Sequence, residues 1–556
     1  MFISQCSLWG LQTGVQSILS VPVLQFFSAL KDPVRAQQKR LGAILKAVQE
    51  SEQATRIPHF SSIRTVKEFQ ERVPLCRYET LEADIEAIKV GKARVFTSAP
   101  VLRFEKTGGS SGTAKYIPQT ALLLKEFQQG LIPWLWDLYT QRPKIKCGPS
   151  YWSLSPLGQK KGTTFGGIPV GTVDDSHYFP SFFQKALAQI LAVPGLLAEF
   201  PEIESCRYVT LRYLLEKPHL RFMSVWNPSF LTLLWEALER HADRLLEDLK
   251  QGTCRPPFPD LHTQQFGQSI LSRLSFRKQP CRAQQLRLRL SQKLHPKEVW
   301  PHLQLISCWT AANASYFLDP IRKLFPDVEI QGKGLLSTEG VVTLPLFEAP
   351  APVLAITSHF YEFIESSSQT LCSLEALELG KNYEVVLSTS GGFLRYRTGD
   401  QVRLEGFFEK TPCFQFLGRV DQVCDLVGEK LHSQDVESLL QCAFKKRFGS
   451  LPKFFMLAPE LGPPAHYHLF MEVDITPERL RILQQDIEIS LQERYHYGYA
   501  RKLGQLGPLQ CTLLKNGAFQ YEHACLQLGQ RAGDIKPIAV HRVPNWSSRF
   551  IEKTLS

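Results

Sequence analysis

The chain has 556 residues, of which 44% are apolar and 21% charged, a balance typical of soluble globular proteins. Collagen-like repeats, coiled-coil rods and wholesale disorder are excluded, and the length allows two or three domains with substantial cores. Lys and Arg total 64 against 53 Asp and Glu, a formal net charge of +11, which suggests polyanionic partners such as a nucleotide, nucleic acid or a membrane surface.

Residues 1–30 carry no charged side chain. The stretch lacks a basic start, and Gln and Ser interrupt its apolar run, so it reads as a helix packed on the body rather than a targeting signal. An interfacial membrane contact is its secondary reading. No run approaches ~18 apolar residues, so no transmembrane helix is expected. The 13 cysteines include no C-x-x-C pair. With no zinc-spaced Cys/His cluster either, a reducing cytoplasmic compartment and no dedicated zinc are expected.

The first local signal is Thr107-Gly-Gly-Ser-Ser-Gly-Thr-Ala-Lys115, between the apolar runs Val101–Phe104 and Tyr116–Ile117. It reads as a loop joining two extended segments. Gly108, Gly109 and Gly112 free the backbone to aim N–H groups at one point. Thr107, Ser110, Ser111 and Thr113 add hydroxyls, and Lys115 adds positive charge. Together they can wrap a polyphosphate, although the spacing is not that of a Walker A loop.

A helix is expected from Pro228 to Lys250, capped by Asn227 and closed by Gly252. The proline-rich stretch 253–259 is a connection. Between Leu261 and Lys297 there is no acidic residue. That segment is either a solvated face or, over 273–297, a docking patch for an acidic carrier or a coenzyme A phosphate. No specific nucleic acid is expected.

Leu335-Leu-Ser-Thr-Glu-Gly340 follows. A carboxylate after two hydroxyls, Ser337 and Thr338, lets Glu339 hold a magnesium ion bridging phosphates. The same letters are also a helix-start pattern. In Tyr396-Arg-Thr-Gly-Asp400, an aspartate after a glycine turn can accept bonds from a ribose diol, or can simply be a turn. Gly418-Arg-Val-Asp421 and Leu426-Val-Gly-Glu-Lys-Leu431 come next. Farther on, 466–475 reads as a strand. A helix starts at Pro477, with Leu480, Leu483, Ile487 and Leu491 on its buried side. Mixed strands and helices argue for an α/β body with a smaller α+β domain at the C-terminus.

Taken in order, these four motifs resemble the adenylate-forming superfamily of acyl-CoA synthetases, adenylation domains and luciferases. Ala114 stands where that superfamily usually has proline, and Leu335 where it has an aromatic. Within the superfamily, the chain resembles the auxin-responsive Gretchen Hagen family of acyl-acid amido synthetases. The residues that carry this are Val73-Pro-Leu-Cys-Arg-Tyr78, Ser224-Val-Trp-Asn-Pro-Ser-Phe230, His359-Phe-Tyr-Glu-Phe363 and Gly380-Lys-Asn-Tyr-Glu-Val-Val386. The likeness runs from about Gln37 to the C-terminus.

The resemblance implies a large N-terminal domain over 1–421, of α/β sheets plus a β-barrel, which binds ATP and the acid. It implies a mobile C-terminal domain over 422–556, hinged near Arg419–Gln422. It also implies roles: Thr107, Ser110, Ser111 and Lys115 on the β- and γ-phosphates, Thr338 and Glu339 on the α-phosphate and magnesium, Asp400 and Arg419 on the ribose. Lys536, in Gly533-Asp-Ile-Lys-Pro537, is the lysine expected at the α-phosphate. The implied activity is ATP-dependent activation of a carboxylic acid as an acyl-adenylate, then transfer to an amino acid, by a monomer. A thioester-forming synthetase and a non-catalytic binding protein on the same scaffold are the alternatives.

Overall fold

The computed structural model describes residues 5–107, 115–153, 162–171, 181–200, 202–290, 294–419, 423–424, 426–427, 429, 431–462, 464–528, 530, 535–536 and 538–550. The chain forms two compact units, one holding most residues up to Leu417 and the other most residues from Gly418 onward.

Among the described residues the first unit contains three sheets. A hairpin joins Val101–Thr107 to Lys115–Thr120, with Thr107 opposite Lys115 at its tip. Four parallel strands, Ser150–Trp152, Phe222–Ser224, Leu305–Cys308 and Glu329–Gly332, lie side by side in chain order. Helices connect them, as parallel pairing demands. Most strands of the third sheet, of seven, run antiparallel, with Phe360–Glu365, Asn382–Ser388 and Tyr396–Phe408 at its middle. The 21-residue helix Ala121–Gln141, capped by the Thr120 hydroxyl, runs through the core.

The uncharged N-terminus forms the helices Gln5–Ile18 and Ser20–Ala29. Its glutamines are anchors: Gln12 Nε2 donates to the carbonyls of Lys146 and Gly148, and Gln16 Oε1 accepts from Lys146 Nζ. Among the described residues no helix is long and apolar enough to cross a membrane.

The single helix expected over 228–250 is two, Ser229–Arg240 and Ala242–Gln251. His241 leaves helical geometry between them, and its Nε2 is held 3.0 Å from Glu204. The break lets each short helix turn its own apolar stripe inward, with Leu234 and Leu238 in one and Leu245 and Leu249 in the other. The N-cap is Pro228 rather than the expected Asn227, whose Oδ1 accepts from the Ser229 N–H at 2.9 Å just ahead of the helix.

The acid-free stretch folds as the helices Leu261–Leu271 and Pro280–Leu290. Carboxylates from elsewhere answer its charge. Arg273 pairs with Glu199, Arg287 with Glu247 and Lys297 with Asp327. Deeper in, Arg212 is fully buried with Glu216 and also donates to the carbonyls of Thr253, Asp248 and Arg277.

The second unit is α+β. Phe454–Glu460 pairs antiparallel with His466–Glu472, which pairs parallel with Gln510–Leu513. The helices Ser433–Phe448 and Pro477–Gln492 pack on this sheet. Thr476 caps the latter, and Leu480, Leu483, Ile487 and Leu491 are all buried. In the Leu426–Leu431 segment, Glu429 accepts from the N–H groups of Leu426 and Val427 and from the Tyr467 hydroxyl, so its role there is to close a turn.

Glu437 is buried in the second unit, and desolvation pushes its carboxyl up to about 8 from 4.5. The native state then holds a proton that the unfolded chain loses above about pH 4.5, so stability falls as pH rises toward 8. Urea titrations of the second unit between pH 5 and 8 are expected to show this slope, and Glu437→Gln is expected to flatten it.

Candidate active site

The site is assembled from segments far apart in sequence. Its centre is a tight turn, Ser337–Gly340. Ser337 N–H donates to the Gly340 carbonyl at 3.0 Å, and Gly340 N–H donates back at 3.3 Å. The turn presents Thr338 and Glu339. Thr338 Oγ1 donates to Glu339 Oε2 at 3.0 Å, and Tyr396 Oη donates to Glu339 Oε1 at 3.4 Å. The Thr338 carbonyl accepts from Gln119 Nε2 at 3.1 Å. The turn is thereby tied to the hairpin arm Lys115–Thr120 and to the strand that starts at Tyr396.

Behind the turn lies a buried chain of bonds. Val341 N–H donates to His359 Nε2 at 3.1 Å, and His359 Nδ1 lies 3.1 Å from Glu126 Oε2. With Nε2 accepting, the ring proton sits on Nδ1 and is donated to Glu126. The Glu126 carboxylate also accepts from the Arg40 guanidinium and, with both oxygens, from the Ser390 N–H. The space is full: a Cβ on Gly340 would stand 2.8 Å from His359 Nε2.

Asp400 stands on a bulge. Across from it, register shifts between Glu384, opposite Gln401, and Val386, opposite Arg397, so residues 398–400 face one residue, Val385. Gly399 adopts a φ of 77° there, a conformation that glycine takes without strain. Thr398 Oγ1 donates to the Val385 carbonyl and accepts from the Asp400 N–H, which fixes the buried carboxylate's backbone. Asp400 is therefore held by sheet irregularity rather than by an ordinary turn between elements.

The Val73–Tyr78 segment lies along the same strand. Cys76 N–H donates to the Arg395 carbonyl, and Arg397 N–H donates to the Cys76 carbonyl. Arg395 reaches back to the carbonyls of Gln70 and Val73 while binding Glu362 with two nitrogens. Tyr78 Oη accepts from the Tyr116 N–H at 2.8 Å, and Lys115 Nζ lies 5.2 Å from the Tyr78 ring. Burial raises the Tyr78 hydroxyl above its ordinary pKa, so it serves as a neutral phenol. Of the residues gathered here, Tyr396 opens the Tyr396–Asp400 motif, and Tyr78 and His359 lie in segments of family-like pattern, whereas Gln119 lies in no such segment.

Thr107 and Lys115 bracket the glycine-rich loop as registered partners, while Gly108, Gly109, Ser110, Ser111, Gly112 and Thr113 lie outside the described residues. Arg419 ends the strand Thr411–Arg419. The hinge expected at 419–422 likewise lies mostly outside the described residues. Lys536 is exposed in the second unit, where its carbonyl accepts from Tyr521 Oη at 3.0 Å. Among the described residues no group of three His, Cys, Asp or Glu is arranged to hold a metal.

The fold of this chain is found in known proteins. The GH3 family matches this chain through its N-terminal domain at 23–330, its central domain at 352–419 and its C-terminal domain at 434–544. The chain belongs to the GH3 family. Similar sequences include indole-3-acetic acid-amido synthetase GH3.4 of Arabidopsis thaliana, 21% identical over 92% of this chain and 90% of its own length. Probable indole-3-acetic acid-amido synthetase GH3.1 of Oryza sativa subsp. japonica is 25% identical over 87% and 83%. The solved structure of AtGH3.15 acyl acid amido synthetase in complex with 2,4-DB superposes with a TM-score of 0.80 at 19% identity, covering 97% of this chain and 98% of that one.

Removing the imidazole tests the support behind the turn. His359→Leu leaves Val341 N–H and Glu126 each short of a buried partner, at about 1–3 kcal/mol per group. Urea denaturation of the first unit is expected to show a loss of roughly 2–6 kcal/mol by that count.

Proposed function

We propose that this protein is an ATP-dependent, AMP-forming ligase that joins a carboxylic acid to the amine of an amino acid. The observation that carries the reading is the convergence on one turn: Thr338 and Glu339 are braced by Tyr396, Gln119 and the His359–Glu126 chain. Membership of a family that includes amido synthetases supports it.

A carboxylate does not acylate an amine at neutral pH, because its oxygen is a poor leaving group. In the first step, a carboxylate oxygen of the acid attacks the α-phosphorus of ATP. The bond from that phosphorus to the bridging oxygen breaks, and pyrophosphate departs. In the second, the amine nitrogen attacks the acyl carbon, the bond to AMP breaks, and the nitrogen sheds a proton. The protein's part is positioning and charge neutralisation.

In this reading Thr107, Ser110, Ser111 and Lys115 hold the β- and γ-phosphates and Asp400 with Arg419 holds the ribose. Thr338 and Ser337 present hydroxyls to the nucleotide. One buried carboxylate beside a hydroxyl suits magnesium, which takes one or two protein oxygens and completes its shell with phosphate and water. Glu339 and Thr338 would hold that ion, which supplies charge neutralisation at the phosphates. Lys536, in a second unit that turns about residues near Arg419, meets the α-phosphate in the first step only.

Two measurements test this. ATP–pyrophosphate exchange across a panel of acids is expected to reveal activity, and Glu339→Gln is expected to lower it by on the order of a hundredfold. Full exchange in that variant at limiting magnesium refutes the assignment. Lys536→Ala is expected to abolish acyl-adenylate formation and still turn a synthetic acyl-adenylate into amide. Loss of both steps with the fold intact refutes the two-step use of the second unit.

A further inference from the structure

The four parallel strands end in a distinctive row of side chains. Register sets Ser224 opposite Ser307 and Ser307 opposite Gln331. Two residues on, past the carboxyl ends, come Trp226, Trp309 and Lys333. The ladder continues there, with Trp309 N–H donating to the Trp226 carbonyl and Lys333 N–H to the Cys308 carbonyl, each at 2.8 Å. Side chains two apart on an extended chain share a face, so the polar row and this trio point the same way.

That face is turned toward the helix Ala121–Gln141. Trp134 Nε1 donates to Gln331 Oε1 at 3.0 Å. Lys333 Nζ lies 5.3 Å from the Trp134 ring and 4.8 Å from the Trp226 ring, and donates to Ser224 Oγ at 2.8 Å. Trp226 and Trp309 meet with ring centres 5.5 Å apart, both half-buried.

Among the described residues two donors in the row are unused. An indole nitrogen can only donate, so Trp134 fixes the Gln331 amide with its oxygen toward the helix. Among the described residues the amide nitrogen Nε2 then has no acceptor, although Gln331 is only 8% exposed. The fully buried Ser307 Oγ has no partner among them either. Buried polar atoms are nearly always paired, so these two mark a place for acceptor atoms that the described residues do not supply. Ligands of parallel sheets bind beyond the carboxyl ends of the strands, which is where Lys333 and the tryptophans stand.

The helix also separates this row from the nucleotide-facing turn. Gln119, which holds the Thr338 carbonyl, immediately precedes the helix cap Thr120. At 1.5 Å per residue, Trp134 lies roughly 20 Å farther along the axis. Lys333 itself stands five residues before Thr338, a span of at most about 17 Å in an extended chain.

We propose that this row is the distal end of the acid pocket, and that it selects a planar acid bearing a second anionic group, a carboxylate or sulfonate, opposite the carboxylate that is activated. The inference rests on the ligase reading above. The ring lies against tryptophan faces, and the second anion takes charge-assisted bonds from Lys333, Ser307 and Gln331.

Exchange assays with 4-carboxyphenylacetate and phenylacetate test it, with ligand quenching of tryptophan fluorescence as a second readout. Wild type is expected to favour the dianion roughly tenfold or more in KM, as for one charge-assisted bond. Lys333→Met is expected to erase that preference without changing the KM for ATP, and Ser307→Ala to reduce it. Equal KM values in wild type overturn the inference, as does a rise in the ATP KM of Lys333→Met, which would place the row at the nucleotide. If no acid supports exchange, the ligase reading fails, and quenching decides the pocket separately. Tighter quenching by the dianion, lost in Lys333→Met, upholds the pocket; equal or absent quenching overturns it.

Discussion

The turn that faces the nucleotide in this reading depends on one buried carboxylate. Glu126 sits inside the helix Ala121–Gln141 and gathers Arg40, the Ser390 N–H and His359 onto two oxygens. An isolated carboxylate in a core is prohibitively costly, and pairing plus hydrogen bonds make it tolerable. Because the partners come from three distant segments, satisfying Glu126 also docks those segments onto its helix. His359 passes the constraint on to Val341, the residue just after the Ser337–Gly340 turn. The turn is therefore positioned from behind by the core, and from the front by Tyr396 and Gln119.

The aspartate of the Tyr396–Asp400 segment is placed by a different device. A regular strand would alternate Thr398 and Asp400 on one face, with their spacing set by the pleat. The bulge at Gly399 breaks that alternation, and the Thr398 hydroxyl repairs the hydrogen bonds the bulge leaves open. Arg395 and Cys76 then clamp the start of the strand to Val73–Tyr78. Tyr78 in turn braces the hairpin that carries the glycine-rich loop. One strand thus links the glycine-rich hairpin, Asp400 and the Ser337–Gly340 turn, and such rigid support is what the proposed electrostatic catalysis requires.

Charge is used locally. The basic stretch that produces most of the net positive charge meets Glu199, Glu247 and Asp327, all distant in sequence. Exposed pairs of this kind contribute little stability each. Their presence still shows that a one-dimensional charge run need not be a three-dimensional patch.

Local patterns were legible in the sequence wherever one element's own chemistry decides its form. Thr476, Pro477 and the apolar spacing behind them specify a helix without outside help, and three glycines between apolar runs specify the hairpin that Thr107 and Lys115 close. The order of the short motifs carried the family, since their spacing is a record of the whole fold. Other features were decided only in three dimensions. His241 splits a helix that periodicity reads as continuous, because Glu204 is there to hold its ring. Glu126, His359, Tyr78 and Gln119 look like ordinary core or strand residues until packing brings their partners from as far as 264 positions away. The row of Ser307, Gln331 and Lys333 exists only through parallel register between strands that are separated in the chain. A sequence lists which donors and acceptors are available, whereas burial decides which of them must find each other, and burial is a property of the assembled core.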